Sequence, residues 1–433
     1  MFAFDHLPVP DIRTPLPGPV AAGLLARDTV YVSGSYTRVY PLVVEAGSGC
    51  VIVDVDGNRY LDFTAGIAVT NVGHCHPEVV AAIEDQAAKL IHMSGTDFYY
   101  TPQIELAERL AHEAAGPTPK KVFFCNSGAE AVEAALKLAR WHTERSRVVA
   151  FFGAFHGRTY GAMSLSGSKL VHRRGFSPLV PDVHHVNFPK ACPAGGCATG
   201  CGLIADLETT IFKRIAPPEE VAAIFVEPIQ GEGGYHPLPL GCMPALRALC
   251  DKYGILLVVD EIQSGMGRTG KLFAVEHYGV EPDIICTAKG IASGLPLGAI
   301  IAKADVMDWP PGSHASTFGG NPVACRAALV TLDLLHREYM ANATARGEQL
   351  REGLRQIPKL ANVRGMGLMT AADLPTAAEK EAVIDACFRK GLLLLGCGES
   401  AIRFCPALCV TADQVATGLR ILGEVLTPPT MPA

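Results

Sequence analysis

Residues Ile255 to Val259 form an unbroken run of β-branched and leucine side chains, ILLVV, closed by Asp260. A strand with one wet face alternates apolar and polar residues. A run without alternation has to bury both faces, which is the habit of a strand inside a parallel sheet covered by helices. A carboxylate at the C-terminal end of such a strand faces the crevice where open α/β sheets bind ligands. A second apolar piece, Asp283 to Thr287, stops just before Ala288-Lys289-Gly290, so Lys289 lies near the same edge as Asp260.

An acid and a lysine on neighbouring strand ends suit pyridoxal phosphate, whose aldehyde needs a lysine and whose ring nitrogen needs an anionic partner. A structural ion pair explains the same two residues equally well at this point.

The surrounding chain repeats the strand-then-helix pattern. Lys121 to Cys125 reads as a short strand, and NSGAEAVEAALKLARWH follows as a helix rich in Ala, Leu and Glu. At their junction Asn126 or Ser127 can cap the helix, Gly128 permits close backbone approach, and the free N–H groups of the first turn make an anion site. Any strand-to-helix turn can carry Ser-Gly, however. Val148 to Phe152 is another strand, followed by Phe155-His156, where a flat side chain can stack on a flat ligand, and by Arg158. A core phenylalanine and a salt-bridged arginine is the simpler reading there. Ala222 to Glu227 again ends in a carboxylate, and the Gly-rich loop Pro228 to Tyr235 carries Glu232. Alternation from about residue 120 to about 320 predicts an α/β fold with a mainly parallel, doubly wound sheet.

Flanking segments read differently. Residues 1 to 30 are Pro-rich and predict a path over the surface or a partner subunit. From residue 43, VVEAGSGCVIVDVDGNRYLDF predicts a small meander with Asp56-Gly57 at a hairpin turn. Pro77 opens a helix with Val79, Val80, Ile83, Ala87 and Leu90 at helical spacing. His74 and His76 before it fit local hydrogen bonds better than a metal site. After Asn321-Pro322 come long helices, with Ala324, Ala328, Leu332 and Leu335 on one face, then strands near Val363 to Met369 and Ile402 to Phe404. The expected division is an N-terminal segment 1–67 contributing to a small domain, a large ligand-binding domain 68–322, and a C-terminal small domain 323–433.

Composition limits the function classes. With 433 residues, 49% hydrophobic and 18% charged, the chain has material for two globular domains, and a net charge of -6 leaves no basic footprint for nucleic acid or an anionic membrane. The N-terminus lacks a basic segment before an apolar core, and no apolar run reaches the roughly 18 residues of a membrane span, so a cytoplasmic location is expected. Of 14 cysteines, Cys125, Cys286, Cys405 and Cys409 sit in apolar runs and read as small core residues. The cluster Cys192, Cys197 and Cys201 matches no standard zinc spacing, and no metal is expected.

The ordered blocks DFTAGIAVTNVGHCHP, NSGAEAVEAALKLAR, FHGRT, EPIQGEGGY, DEIQSGMGRTG, AKGIASGLPLGA and TFGGNPVACRAA resemble the class III aminotransferases. These are fold type I pyridoxal-phosphate enzymes that include the 4-aminobutyrate, ornithine and acetylornithine transaminases. The resemblance spans nearly the whole chain and favours the cofactor reading of Asp260 and Lys289.

It implies that Lys289 carries the cofactor and shuttles the proton, Asp260 holds the ring nitrogen protonated, Gln263 bonds the phenolic oxygen and Phe155 stacks on the ring. Gly128 and Ala129 offer N–H groups to the phosphate, and Ser127, His156 and Glu227 complete the cofactor shell. Thr317 reaches the phosphate of the neighbouring subunit, so a homodimer with a shared site is implied. Arg403 binds the α-carboxylate of 2-oxoglutarate, Glu232 neutralises Arg403 when an ω-amine enters, and Arg158 takes the distal carboxylate. Ile67 stands where the ornithine branch tends to carry tyrosine, which tilts the donor toward 4-aminobutyrate.

The activity implied is transfer of an amino group from an ω-amino acid to a 2-oxo acid. An amino-acid racemase or epimerase of the same family is the alternative, and a non-catalytic cofactor-binding protein is disfavoured by the retained Lys289, Asp260 and Gln263. Two departures fall in the small domain. After Met369 the text TAADLPTAAEKE reads as a shortened, Pro-broken strand, and Ala407 replaces a commoner proline.

Overall fold

A computed structural model describes residues 2–4, 6–190 and 202–427. The Cys192, Cys197 and Cys201 cluster lies outside them. The strands in chain order are β1 (Val44–Ser48), β2 (Val51–Asp54), β3 (Arg59–Asp62), β4 (Lys120–Cys125), β5 (Arg147–Phe151), β6 (Val183–Val186), β7 (Val221–Val226), β8 (Ile229–Gln230), β9 (His236–Pro237), β10 (Leu256–Asp260), β11 (Ile284–Thr287), β12 (Gly298–Lys303), β13 (Ala361–Met366), β14 (Met369–Asp373), β15 (Leu392–Leu393), β16 (Leu395–Cys397) and β17 (Ala401–Phe404).

Seven of them make the central sheet, in the order β4-β12-β11-β10-β7-β5-β6. β6, β5, β7, β10 and β11 run parallel, while β12 is antiparallel to both β11 and β4. The absence of alternation in ILLVV has its expected consequence: Leu257 and Val259 enter one apolar cluster, and Leu256 and Val258 enter another. All four are buried, each contributing about 2 kcal/mol of apolar burial. Helix Gly128–Thr143 covers one face through Ala131, Ala134, Ala135 and Leu138. Helix Cys242–Tyr253 packs its Leu246 and Leu249 into the cluster of the other.

The N-terminal meander is not closed by its own sequence. β3 pairs in parallel with β15, Leu61 opposite Leu392, giving a four-stranded sheet β1-β2-β3-β15. The chain also forms a separate antiparallel sheet, β13-β14-β17-β16. Arg268 is fully buried beneath this region. Its guanidinium donates to Asn71 Oδ1 at 2.6 Å, to the Leu368 carbonyl at 3.3 Å and to the Pro406 carbonyl at 2.5 Å.

Two expectations are corrected. The Pro-rich start contains a helix, Pro19–Tyr31, because Asp56 reaches back from the β2–β3 turn to accept the Val20 and Ala21 N–H groups, both at 2.9 Å. The strands expected near Val363 to Met369 are β13 and β14, which fold back on each other at Gly367, whose φ of 53° suits glycine. The text after Met369 is not a broken strand: β14 runs to Asp373, which accepts from Arg364 at 2.8 Å, and Pro375 falls beyond it. His74 bonds Asp62 at 2.8 Å, while His76 accepts the neighbouring Glu78 N–H at 3.3 Å and also meets the Tyr339 hydroxyl, distant in sequence, at 3.1 Å. Among the described residues no helix is long and apolar enough to cross a membrane.

Candidate active site

β10 and β11 lie side by side with Asp260 opposite Cys286, and three residues past Cys286 the chain reaches Lys289. Lys289 has a left-handed φ of 46°, a conformation that costs a non-glycine residue about 1 kcal/mol. Both side chains line a cavity of about 380 Å³, within the range of small-ligand sites. Among the described residues the Lys289 amine has no hydrogen-bond or ion-pair partner. Burial drives its pKa down, the charge of Asp260 opposes this, and Arg403 adds to the depression.

Both oxygens of Asp260 are hydrogen-bonded within the chain. Its Oδ2 meets His156 Nδ1 at 2.7 Å and its Oδ1 accepts the Ile262 N–H at 3.0 Å. Burial would lower the pKa of His156, but the hydrogen bond and charge of Asp260 outweigh it and raise it. The other ring nitrogen of His156, Nε2, is buried without a partner among the described residues. Glu227, at the end of β7, accepts N–H groups from Phe155 at 3.3 Å and from Gly231 at 3.1 Å. Burial pushes its carboxyl up to about 7 despite the charge of His156.

At the opposite wall begins the 16-residue helix Gly128–Thr143. Ser127 caps it, its Oγ accepting the Glu130 N–H at 3.2 Å. The Glu130 carboxylate in turn accepts the Asn126 N–H at 2.8 Å. The N–H groups of Gly128 and Ala129 keep no internal partner among the described residues, so the helix start presents two free donors to the cavity. A Cβ at Gly128 would stand 2.9 Å from Ile262, so only glycine leaves this wall its present shape. Phe155 and Gln263 also line the cavity, with Gln263 Oε1 accepting the Tyr235 hydroxyl at 2.7 Å.

A second charged group lies beside the first. Arg403 on β17 donates from Nη1 to Glu232 Oε1 at 2.6 Å, and Lys169 reaches Glu232 Oε2 at 3.1 Å. Burial alone would raise the pKa of Glu232, but the charges of Arg403 and Lys169 hold it at about 2. Both members of the Arg403–Glu232 pair are near enough to act electrostatically on Lys289.

The profile of the family described as "Aminotransferase class-III" matches residues 31–426. The chain belongs to the class-III aminotransferases. It is 42% identical to an acetylornithine aminotransferase of Archaeoglobus fulgidus, covering 92% of this chain and 99% of that one. It is 39% identical to a 4-aminobutyrate aminotransferase of Escherichia coli, covering 93% and 97%. Its structure matches the crystal structure of the ornithine aminotransferase from Toxoplasma gondii ME49 with a TM-score of 0.84, at 32% identity and 94% coverage of each chain. Fold type I, expected from the sequence, is the fold of this aminotransferase.

Other residues expected at the site stand apart from the cavity in this class-III aminotransferase. Ile67 is 41% exposed, in a left-handed turn with Gly66, and Val69 lines the cavity instead. Arg158 is exposed, its guanidinium 5.9 Å from the Phe155 ring centre. Thr317 is exposed as well. Sequence reasoning passed over Tyr235 and the Gly294–Leu297 wall, although both lie inside the blocks EPIQGEGGY and AKGIASGLPLGA. It also passed over Lys169, for which no motif gave a signal.

Proposed function

We propose that the enzyme moves an amino group from an ω-amino acid, of the 4-aminobutyrate or ornithine kind, to a 2-oxo acid such as 2-oxoglutarate, using pyridoxal phosphate. The observation that carries this reading is the Glu232–Arg403 ion pair beside the buried amine of Lys289. The relatives named above, which include 4-aminobutyrate and acetylornithine aminotransferases, support it. A racemase gains no comparable support.

The residues present fit the cofactor. An unpartnered lysine, an acid across the cavity, two free N–H donors at a helix start and an aromatic wall match its aldehyde, ring nitrogen, phosphate and ring. Bound there, pyridoxal phosphate supplies an aldehyde that captures amines and a ring that accepts electrons from the substrate carbon. Asp260, oriented by His156, keeps a proton on the ring nitrogen. Lys289, with its lowered pKa, would take a proton from the amine-bearing carbon and deliver it to the cofactor's aldehyde carbon. Gly128, Ala129 and Ser127 hold the phosphate, Phe155 stacks, Gln263 with Tyr235 faces the phenolic oxygen, and His156 and Glu227 set the charge behind the ring.

Glu232 covers Arg403 while a donor without an α-carboxylate near its reacting amine is bound, and leaves it when glutamate or 2-oxoglutarate enters. Arg158 and Ile67 complete the substrate wall when the site closes. The exposure of Thr317 suits a role toward a second copy, giving a homodimer with shared sites. Residues 1–67 with 323–433 act as the smaller domain, a division supported by the β3–β15 pairing.

Incubation with 4-aminobutyrate, ornithine, acetylornithine and simple L-amino acids, with and without 2-oxoglutarate, tests the reading. Turnover that requires the 2-oxo acid is expected with at least one ω-donor. Inversion of an L-amino acid without any acceptor would overturn it.

A further inference from the structure

Glu232 uses its two oxygens on two cations, Oε1 on Arg403 and Oε2 on Lys169. The reading above employs only the first. The two cations stand on different supports. Arg403 belongs to β17 of the small antiparallel sheet. Lys169 follows Gly167, whose N–H donates to the Ala154 carbonyl at 2.8 Å and whose carbonyl accepts the Gly153 N–H at 3.0 Å, which ties it to the end of β5 in the central sheet. The Glu232 backbone is itself pinned, its carbonyl accepting the Gly398 N–H at 2.8 Å. Exchange of partners by Glu232 is therefore a side-chain rotation.

Burial separates the two pairs in kind. The Arg403 side chain is 6% exposed, whereas that of Lys169 is 42% exposed and borders, with Glu232, an open cleft of about 840 Å³. A carboxylate leaving Arg403 with no second partner becomes an unpaired, mostly buried charge, an expensive state. We propose that Lys169 is a positioning residue that sets acceptor specificity by holding Glu232 while an α-carboxylate occupies Arg403. This rests on the reading of Glu232 given above.

Lys169 has unequal effects on the two arrangements. With Glu232 on Arg403, the exposed pair to Lys169 adds little. With Glu232 released from Arg403, Lys169 is the one cation among the described residues that remains hydrogen-bonded to it. Removing Lys169 thus shifts the equilibrium toward the covered Arg403, disfavouring glutamate and 2-oxoglutarate and sparing ω-amine donors.

The test uses the holoenzyme and its Lys169→Met, Lys169→Arg and Glu232→Gln variants. Single-turnover kinetics follow the 4-aminobutyrate and glutamate half-reactions, and calorimetry follows binding of glutarate, a dicarboxylate that cannot react. Lys169→Met is expected to raise the half-saturating glutamate concentration and the glutarate Kd about fivefold or more, with the limiting rate and the 4-aminobutyrate half-reaction unchanged. Lys169→Arg should restore both values. Adding Lys169→Met to Glu232→Gln should change nothing further, because no carboxylate remains to be held.

Equal losses in both half-reactions of Lys169→Met would mark a direct substrate contact or a disturbed loop, and no loss in either would leave Lys169 without a role. Either result overturns the proposal. If Glu232→Gln lowers both half-reactions together, the underlying reading of Glu232 fails, a result distinct from the behaviour of Lys169.

Discussion

Lys289 and Asp260 divide the labour at the site because burial treats them differently. Among the described residues Lys289 has no anion in hydrogen-bonding reach, and burial lowers its pKa, which leaves its amine available to condense with an aldehyde. Borohydride reduction of the purified protein followed by peptide mapping should find the pyridoxyl group on Lys289, and its appearance on another lysine would remove the central assignment. Asp260 is held by His156 and lines the cavity. In Asp260→Asn the cofactor should stay bound while proton abstraction in a single turnover slows on the order of a hundredfold or more. Near-normal turnover would reduce the acid to a structural role. Glu232→Gln should impair the 4-aminobutyrate half-reaction and spare that with glutamate, because it leaves the Arg403 guanidinium unpaired beside an apolar donor chain. Stopped-flow rates for the two half-reactions check this, and parallel losses would contradict it.

At the scale of elements, the helix Gly128–Thr143 works as a cap and an anion site together. Ser127 Oγ occupies the third N–H of its first turn, and the first two are left for a phosphate. Ser127→Ala should cost about 1 kcal/mol of stability, whereas Ser127→Gly should cost only a few tenths. Denaturant midpoints of the cofactor-free protein measure the difference, and equal midpoints would deny the cap its role. Elements of this kind were legible in the sequence because their signals are local: a β-branched run, a capping residue, a Gly-rich turn. What was not legible depends on contacts distant in sequence. Asp56 caps a helix more than thirty residues earlier, so a Pro-rich start gave no warning of it. The fold of β13 back onto β14 at Gly367 rests on a left-handed φ, which a single glycine in a strand-like text does not announce. Lys169 was invisible for the same reason, since its partner Glu232 is supplied by a loop some sixty residues away.

Over the whole molecule, buried acids make stability depend on pH. Glu227 and Glu261 are both pushed by burial up to about 7, well above an ordinary carboxyl. Each prefers its proton in the folded state, so each favours folding fully below about 4.5 and loses that contribution as pH rises toward 7. A shift of this size is worth up to roughly 3 kcal/mol per group. Cofactor-free enzyme should therefore lose stability between pH 5 and 7.5 through these groups, and Glu227→Gln should flatten the slope in that window. An unchanged slope would mean that His156 neutralises Glu227 throughout.

Every residue lining the cofactor-sized cavity falls between Val69 and Leu297, while Arg403 arrives roughly a hundred residues later. At the pace of protein synthesis this is an interval of about 5 to 20 s. The meander of β1, β2 and β3 waits longer still, from Asp62 to Leu392, for β15. On the proposed function, a nascent chain holds the parts that would bind the cofactor well before it holds the arginine that would choose between substrates, so selectivity emerges from the ribosome after binding.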